Sequence, residues 1–170
     1  MKIFLLGLPG SGKTTLGQSL AKSLNIKFFD LDHEIEKKYN QTISNLFHQK
    51  GEEWFRTTEA LVLQSLCVYP HDFVLALGGG TPCYGRNMKV VNEAGISIFL
   101  DVPTHIIFQR LLQANPDERP LFKGLSAESL NQKVHSLRIE RVPFYSKAKF
   151  TISNNSIQVT DILTLLERKS

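Results

Sequence analysis

The sequence predicts an α/β protein of three layers, a five-stranded parallel sheet with helices on both faces, in one domain spanning residues 1–170. Three observations predict it. Short apolar runs alternate with segments of helical period along the whole chain. The runs are Ile3–Leu6, Ile26–Leu31, Phe73–Leu77, Ile96–Leu100 and Phe150–Ile152, each as continuously apolar as a strand buried on both faces. A glycine-rich turn joins the first run directly to the first helical segment, and alternation of this kind closes through right-handed crossovers into a parallel sheet.

Composition narrows the classes. The chain has 170 residues, 42% hydrophobic and 21% charged, which suits one soluble domain with its own core and is too apolar for disorder. No apolar run approaches the roughly 20 residues of a spanning helix. The start, Met1-Lys2-Ile3-Phe4-Leu5-Leu6, runs into the glycine turn without a cleavage site, so the expectation is a cytoplasmic protein with no membrane partner. Twenty Lys and Arg against sixteen Asp and Glu give a net charge of +4. The basic residues are scattered, which favours small anionic ligands over nucleic acid. Cys67 and Cys83 lack metal-ligand or C-x-x-C spacing and read as two reduced thiols.

The elements follow in order. After the first run, Leu16, Leu20 and Leu24 share one face of a helix that starts at Lys13. The second run ends in Asp30-Leu31-Asp32 and leads into a helix over His33–Tyr39. Gly51 punctuates the start of the next helix, Glu52–Leu66, whose buried face carries Phe55, Leu63 and Leu66. The third run ends in Gly78-Gly79-Gly80. Residues 113–124, with two prolines, a glycine and mixed charges, read as a mobile lid rather than a core element. Leu130, Val134 and Leu137 mark a further helix, and Val159, Ile162, Leu163 and Leu166 the last.

The turn after the first run reads Gly7-Leu8-Pro9-Gly10-Ser11-Gly12-Lys13-Thr14-Thr15 and fits G-x-x-x-x-G-K-[ST] between a strand and a helix. Glycines let successive N–H groups converge on one anion, and the helix start adds its positive dipole end. Gly10, Ser11, Gly12, Lys13, Thr14 and Thr15 are therefore the expected phosphate-binding residues of a nucleotide site. Lys13 supplies charge at the terminal phosphates, and the Thr14 hydroxyl is placed to ligate Mg²⁺.

The second strand ends in Asp30-Leu31-Asp32, and two residues apart on a strand share a face, so both carboxylates project together at the sheet edge where open α/β folds bind ligands. One carboxylate then holds a water of the metal shell, and the other accepts a proton from an attacking hydroxyl. The competing reading is that Asp32 caps the helix that follows.

Six blocks, in order, resemble the shikimate kinase family across residues 3–152. They are the phosphate loop, Phe28-Phe29-Asp30-Leu31-Asp32-x-x-Ile35-Glu36, Gly51-Glu52-Glu53-Trp54-Phe55-Arg56-x-x-Glu59, Leu75-Ala76-Leu77-Gly78-Gly79-Gly80, Arg119-Pro120-Leu121 and Glu140-Arg141-Val142-Pro143-Phe144-Tyr145. The resemblance implies the P-loop kinase fold with strand order 2-3-1-4-5. It also implies ATP-dependent phosphorylation of the 3-hydroxyl of shikimate by a monomer that needs Mg²⁺. By the same resemblance Asp32 holds shikimate hydroxyls and is the base, Asp30 sits with Thr14 at the metal, and Arg56, Gly79 and Arg141 bind shikimate. Arg119 closes over ATP from the lid, and residues 32–62 supply acceptor-binding helices.

The residues themselves are compatible with this. Arg56 and Glu59 are three apart on one helix, so Glu59 can orient the arginine, or the two form only a surface ion pair. Gly78, Gly79 and Gly80 allow close backbone approach to a ligand, or form a plain loop. Arg141 continues the stripe of Leu137 and needs an anion there; Arg138, four past Val134, is the alternative. Phe47 and Phe55 are candidate walls for the acceptor ring, or core. A gluconate-type kinase of the same fold and a nucleotide-binding regulatory module without a catalytic acid are the competing functions. The glycine run with the Arg56 block argues against the first, and Lys13, Thr14, Asp30 and Asp32 together argue against the second.

Overall fold

The computed structural model describes residues 1–114 and 120–168. Five strands, β1 (Lys2–Leu6), β2 (Lys27–Asp30), β3 (Phe73–Ala76), β4 (Ile96–Asp101) and β5 (Phe150–Ser153), form one sheet in the order β2-β3-β1-β4-β5. Every neighbouring pair is parallel, with Ile3 opposite Val74 on one side and Ile96 on the other. The order agrees with the one that the resemblance implied. Strands β1 and β3 are buried almost throughout, as continuous apolar runs should be. The flanking β2 and β5 are only partly covered, a departure from five fully buried runs that follows from their edge positions.

Among the described residues there are eight α-helices: α1 (Lys13–Leu24), α2 (Leu31–Tyr39), α3 (Ile43–Lys50), α4 (Glu52–Cys67), α5 (Asn87–Ala94), α6 (Thr104–Gln113), α7 (Ala127–Tyr145) and α8 (Val159–Glu167). Short 3-10 turns lie at Thr81–Cys83 and Pro120–Phe122. Helices α3, α5 and α6 carry no expectation from the sequence. The first two have eight residues each, too few for a period to stand out, although Thr42 caps α3 through the Asn45 amide at 3.2 Å. In α6 the signal is present, because Ile107 and Leu111 are buried four residues apart. No described helix is long and apolar enough to cross a bilayer.

The expected lid is only partly described. Gln113 ends α6 and Pro120–Phe122 make a turn, whereas residues 115–119, Arg119 among them, lie outside the described residues.

The parallel sheet gathers the ends of β1, β2, β3 and β4 at one edge, so the phosphate loop, Asp30, the glycine run and Asp101 meet there. Packing behind that edge is tight. At Gly95, which links α5 to β4, an added Cβ would stand 2.3 Å from the Lys2 carbonyl oxygen, so space rather than backbone angle requires glycine. Gly95→Ala should therefore destabilise the chain by about 1–3 kcal/mol, the usual cost of forced overpacking. Urea unfolding of both proteins checks this, and an unchanged midpoint refutes it.

Candidate active site

The phosphate loop is built on backbone angles that side chains resist. Gly10 and Gly12 have φ of 86° and 94°, and Gly12 turns directly into α1. The Ser11 amide donates to the Leu8 carbonyl at 3.1 Å, closing the turn. Ser11 Oγ is buried and finds no partner among the described residues, as a hydroxyl awaiting an anion would be. Lys13 Nζ reaches back to the Gly7 and Leu8 carbonyls at 2.9 and 3.0 Å. Thr14 and Thr15 stand exposed in the first turn of α1. From α6, which the sequence left unassigned, Arg110 donates to the Gly10 carbonyl at 3.1 Å and so braces the loop.

The two aspartates meet, but not through strand alternation. Strand β2 ends at Asp30 and α2 begins at Leu31, so Asp32 belongs to the first helical turn. The helix cap is Asp30 rather than Asp32. Its Oδ1 accepts from the Asp32 amide at 3.2 Å and from His33 at 3.5 Å, while its Oδ2 accepts from the Thr14 hydroxyl at 2.8 Å. The carboxyl of Asp32 is pushed up to about 7. Burial is the main cause; the charges of Asp30, Glu59 and Glu36 add to it, and Lys13 opposes them.

Each glycine of the run after β3 is faced by a different polar head. A Cβ on Gly78 would lie 2.9 Å from Asp32 Oδ1, one on Gly79 2.7 Å from Arg141 Nη1, and one on Gly80 2.5 Å from Arg56 Nη2. Gly79 also abuts Pro9 of the phosphate loop, 3.2 Å from the same point. Three consecutive residues thus bring Asp32 of α2, both arginines and the phosphate loop together.

Arg56 is held from two sides. Its Nη1 donates to Glu59 at 2.9 Å, and Glu59 is only 1% exposed, so this is a buried anchor and not a surface pair. Phe47 and Phe55, with centroids 4.3 Å apart, lie beneath the guanidinium at 5.8 and 5.4 Å. The two rings form a platform under the Arg56 guanidinium. Arg138 is engaged elsewhere, donating to Asp101 at 2.7 Å, which leaves Arg141 as the arginine of α7 that faces the site. Among the described residues Arg141 has no ion pair; the buried Tyr145, one helical turn further along α7, donates its hydroxyl to the Gly79 carbonyl at 2.6 Å. A cleft of about 600 Å³ opens over Arg56, Gly80, Cys83, Glu140, Arg141 and Phe144.

Sequence reasoning missed Tyr145, Thr81 and Arg110 as parts of this arrangement. Tyr145 lies four residues past Arg141 on α7, a spacing that would have put the two on one face. For Thr81, whose hydroxyl bonds Glu59 at 2.6 Å, no local signal exists.

The family model for shikimate kinase matches residues 9–168. The shikimate kinase of Phocaeicola vulgatus is 39% identical over 157 residues, covering 92% of this chain and 89% of its own length. A crystal structure of shikimate kinase from Bacteroides thetaiotaomicron superposes with a TM-score of 0.93 at 34% identity, covering 98% of both chains. The enzyme of Acinetobacter baumannii in complex with shikimate superposes with a TM-score of 0.89 at 36% identity, over 99% of this chain and 94% of that one. With its fold, its phosphate loop and its glycine-gathered acid and arginines all in agreement, the chain belongs to the shikimate kinase family.

Proposed function

We propose that the chain transfers the terminal phosphoryl group of ATP to the 3-hydroxyl of shikimate, giving shikimate 3-phosphate and ADP. The observation that carries this reading is the glycine run. Asp32, Arg141 and Arg56 face three successive residues, a backbone span of at most about 7 Å at 3.3–3.6 Å per residue. That span suits a six-membered ring with a hydroxyl at the acid and a carboxylate at the guanidinium pair. Pro9 at Gly79 brings the phosphate loop to the same spot, so donor and acceptor meet without large movement.

In the proposed reaction the loop amides, Ser11 and Lys13 hold the ATP phosphates, and Arg56 and Arg141 grip the acceptor carboxylate. Asp32, whose proton affinity sits near neutrality, takes the proton from the attacking hydroxyl. Thr14 Oγ1 and Asp30 Oδ2, 2.8 Å apart beside the loop, are hard oxygen donors that fit Mg²⁺, Thr14 as ligand and Asp30 in the outer shell. Bound there, the ion supplies charge neutralisation at the phosphates. The loop, the acid and the arginines of the site all lie within one copy of the chain, so the proposed reaction on small molecules needs no second copy. A gluconate-type acceptor is disfavoured because the arginine pair is spaced from the acid by a rigid turn, as a ring requires. ADP release measured with shikimate, gluconate and nucleoside monophosphates tests the reading; preference for any acceptor but shikimate overturns it.

Two expectations follow from the site. Asp32 accepts a proton only when ionised, so kcat should fall about tenfold per pH unit below pH 7, and Asp32→Asn should lower kcat about 10²–10⁴-fold with ATP affinity kept. The sign for stability is opposite. Folded Asp32 keeps its proton up to about pH 7 whereas an unfolded one releases it near 3.8, so its contribution is fully present below 3.8 and lost as pH rises through 7. Asp32→Asn should therefore be the more thermostable protein at pH 8, with a gap that shrinks toward pH 4. Thermal unfolding across that range checks it.

The second concerns the arginines. A guanidinium meets a carboxylate with two parallel hydrogen bonds that lysine cannot copy. Arg56→Ala or Arg141→Ala should weaken shikimate binding at least about tenfold, with Lys restoring only part, while ATP binding stays unchanged. Calorimetric titration of each substrate measures both, and intact shikimate binding in the alanine variants would refute the clamp.

A further inference from the structure

We propose that Thr81 is a positioning residue for acceptor recognition: its buried hydroxyl fixes Glu59, and Glu59 fixes the Arg56 guanidinium that reads the acceptor's charge. The inference rests on the reading of Arg56 given above. Thr81 lies outside the cleft lining and is fully buried, so it acts without touching the ligand.

The relay is short. Thr81 Oγ1 donates to Glu59 Oε1 at 2.6 Å, and Glu59 Oε2 accepts from Arg56 Nη1 at 2.9 Å. Each carboxylate oxygen of Glu59 thus has one donor, from a different element. A buried carboxylate needs both, because an oxygen left without a donor away from water is costly and the group turns to find another. The second acid near Arg56, Glu52, lies at 3.6 Å and is 73% exposed, so it holds the guanidinium weakly. Glu59 is the anchor, and its orientation is set by whatever occupies Oε1.

Thr81 is itself fixed. Its amide donates to the Gly78 carbonyl at 3.1 Å, and its carbonyl accepts from Asn87 Nδ2 at 2.9 Å, with Asn87 buried. The hydroxyl therefore sits at a point set by the turn after β3 and by α5, while Arg56 comes from α4. A Cβ on Gly78 would lie 2.9 Å from Thr81 Oγ1 and 3.0 Å from Glu59 Oε1, so the bond forms right against the glycine run. Through it the angle of the Arg56 fork is tied to the same turn that meets Asp32 and Arg141. The competing account is that the Phe47–Phe55 platform alone positions Arg56.

Steady-state kinetics on the full chain decide between them, using Thr81→Val, Thr81→Ser and Arg56→Lys. The acceptors are shikimate and its neutral primary amide, which offers no charge to the fork. Thr81→Val keeps the shape and removes the donor. It should raise the KM for shikimate about tenfold and narrow the acid-over-amide preference by a similar factor, leaving the KM for ATP within about twofold. Thr81→Ser should restore both acceptor values. An unchanged KM and preference in Thr81→Val overturn the proposal, as does a Thr81→Ser protein as impaired as Thr81→Val, which would assign the effect to methyl packing. If the valine variant does not fold, Thr81→Ala against Thr81→Ser makes the same comparison. Arg56→Lys separates the two levels: if it leaves shikimate KM unaltered, the carboxylate reading falls and the Thr81 role with it. If it raises KM while Thr81→Val does not, only the Thr81 role falls.

Discussion

The acceptor half of the site depends on backbone that comes closer to charged heads than any side chain would permit. At Gly78, Gly79 and Gly80 the space a Cβ needs is already taken by Asp32, Arg141 and Arg56. None of these glycines has a positive φ, so their reason is proximity and not backbone angle. Proximity also organises the charges. The run lets an acid from α2, an arginine from α4 and another from α7 converge. Glu59 holds the Arg56 head, and Tyr145 holds the glycine backbone that Arg141 faces, before a substrate arrives, which reduces the ordering cost of binding.

Donor and acceptor sites are joined by the order of the sheet. Central β1 and its neighbour β3 end side by side, so the loops that follow them touch at Pro9 and Gly79. Helix α7 crosses the same edge, tied to β4 through Arg138 and Asp101 and to the glycine run through Tyr145. Because Ser153 also donates to Asp101, at 3.1 Å, β5 is fastened to the same point. The parallel arrangement thus converts separate strand ends into one working surface.

What the sequence made legible was local. The phosphate loop is a contiguous motif whose glycines, lysine and threonine each have a chain-local reason, and the strand runs stand out by composition. Asp30 and Asp32 were legible as a pair, although by an argument that assumed a strand two residues too long. The rest depends on partners far along the chain. Arg110 is 100 residues from the Gly10 carbonyl it braces, Tyr145 is 66 from Gly79, and Arg138 is 37 from Asp101. No periodicity links such residues, since the fold alone brings them together. The choice between Arg138 and Arg141 shows this well: both continue an apolar stripe, so periodicity does not separate them, whereas in the fold Asp101 takes Arg138.

Asp30 has a consequence for how such a chain drifts. One of its oxygens starts α2 and the other holds Thr14 beside the phosphate loop, so a single carboxylate serves helix initiation and the donor site at once. A random change there weakens the fold and the chemistry together. A variant that has lost the acid therefore meets a penalty in folded population even where no substrate is present. Purging of unstable chains alone then guards a group that the chemistry needs, and the first turn of α2 acts as a safeguard for the site it introduces.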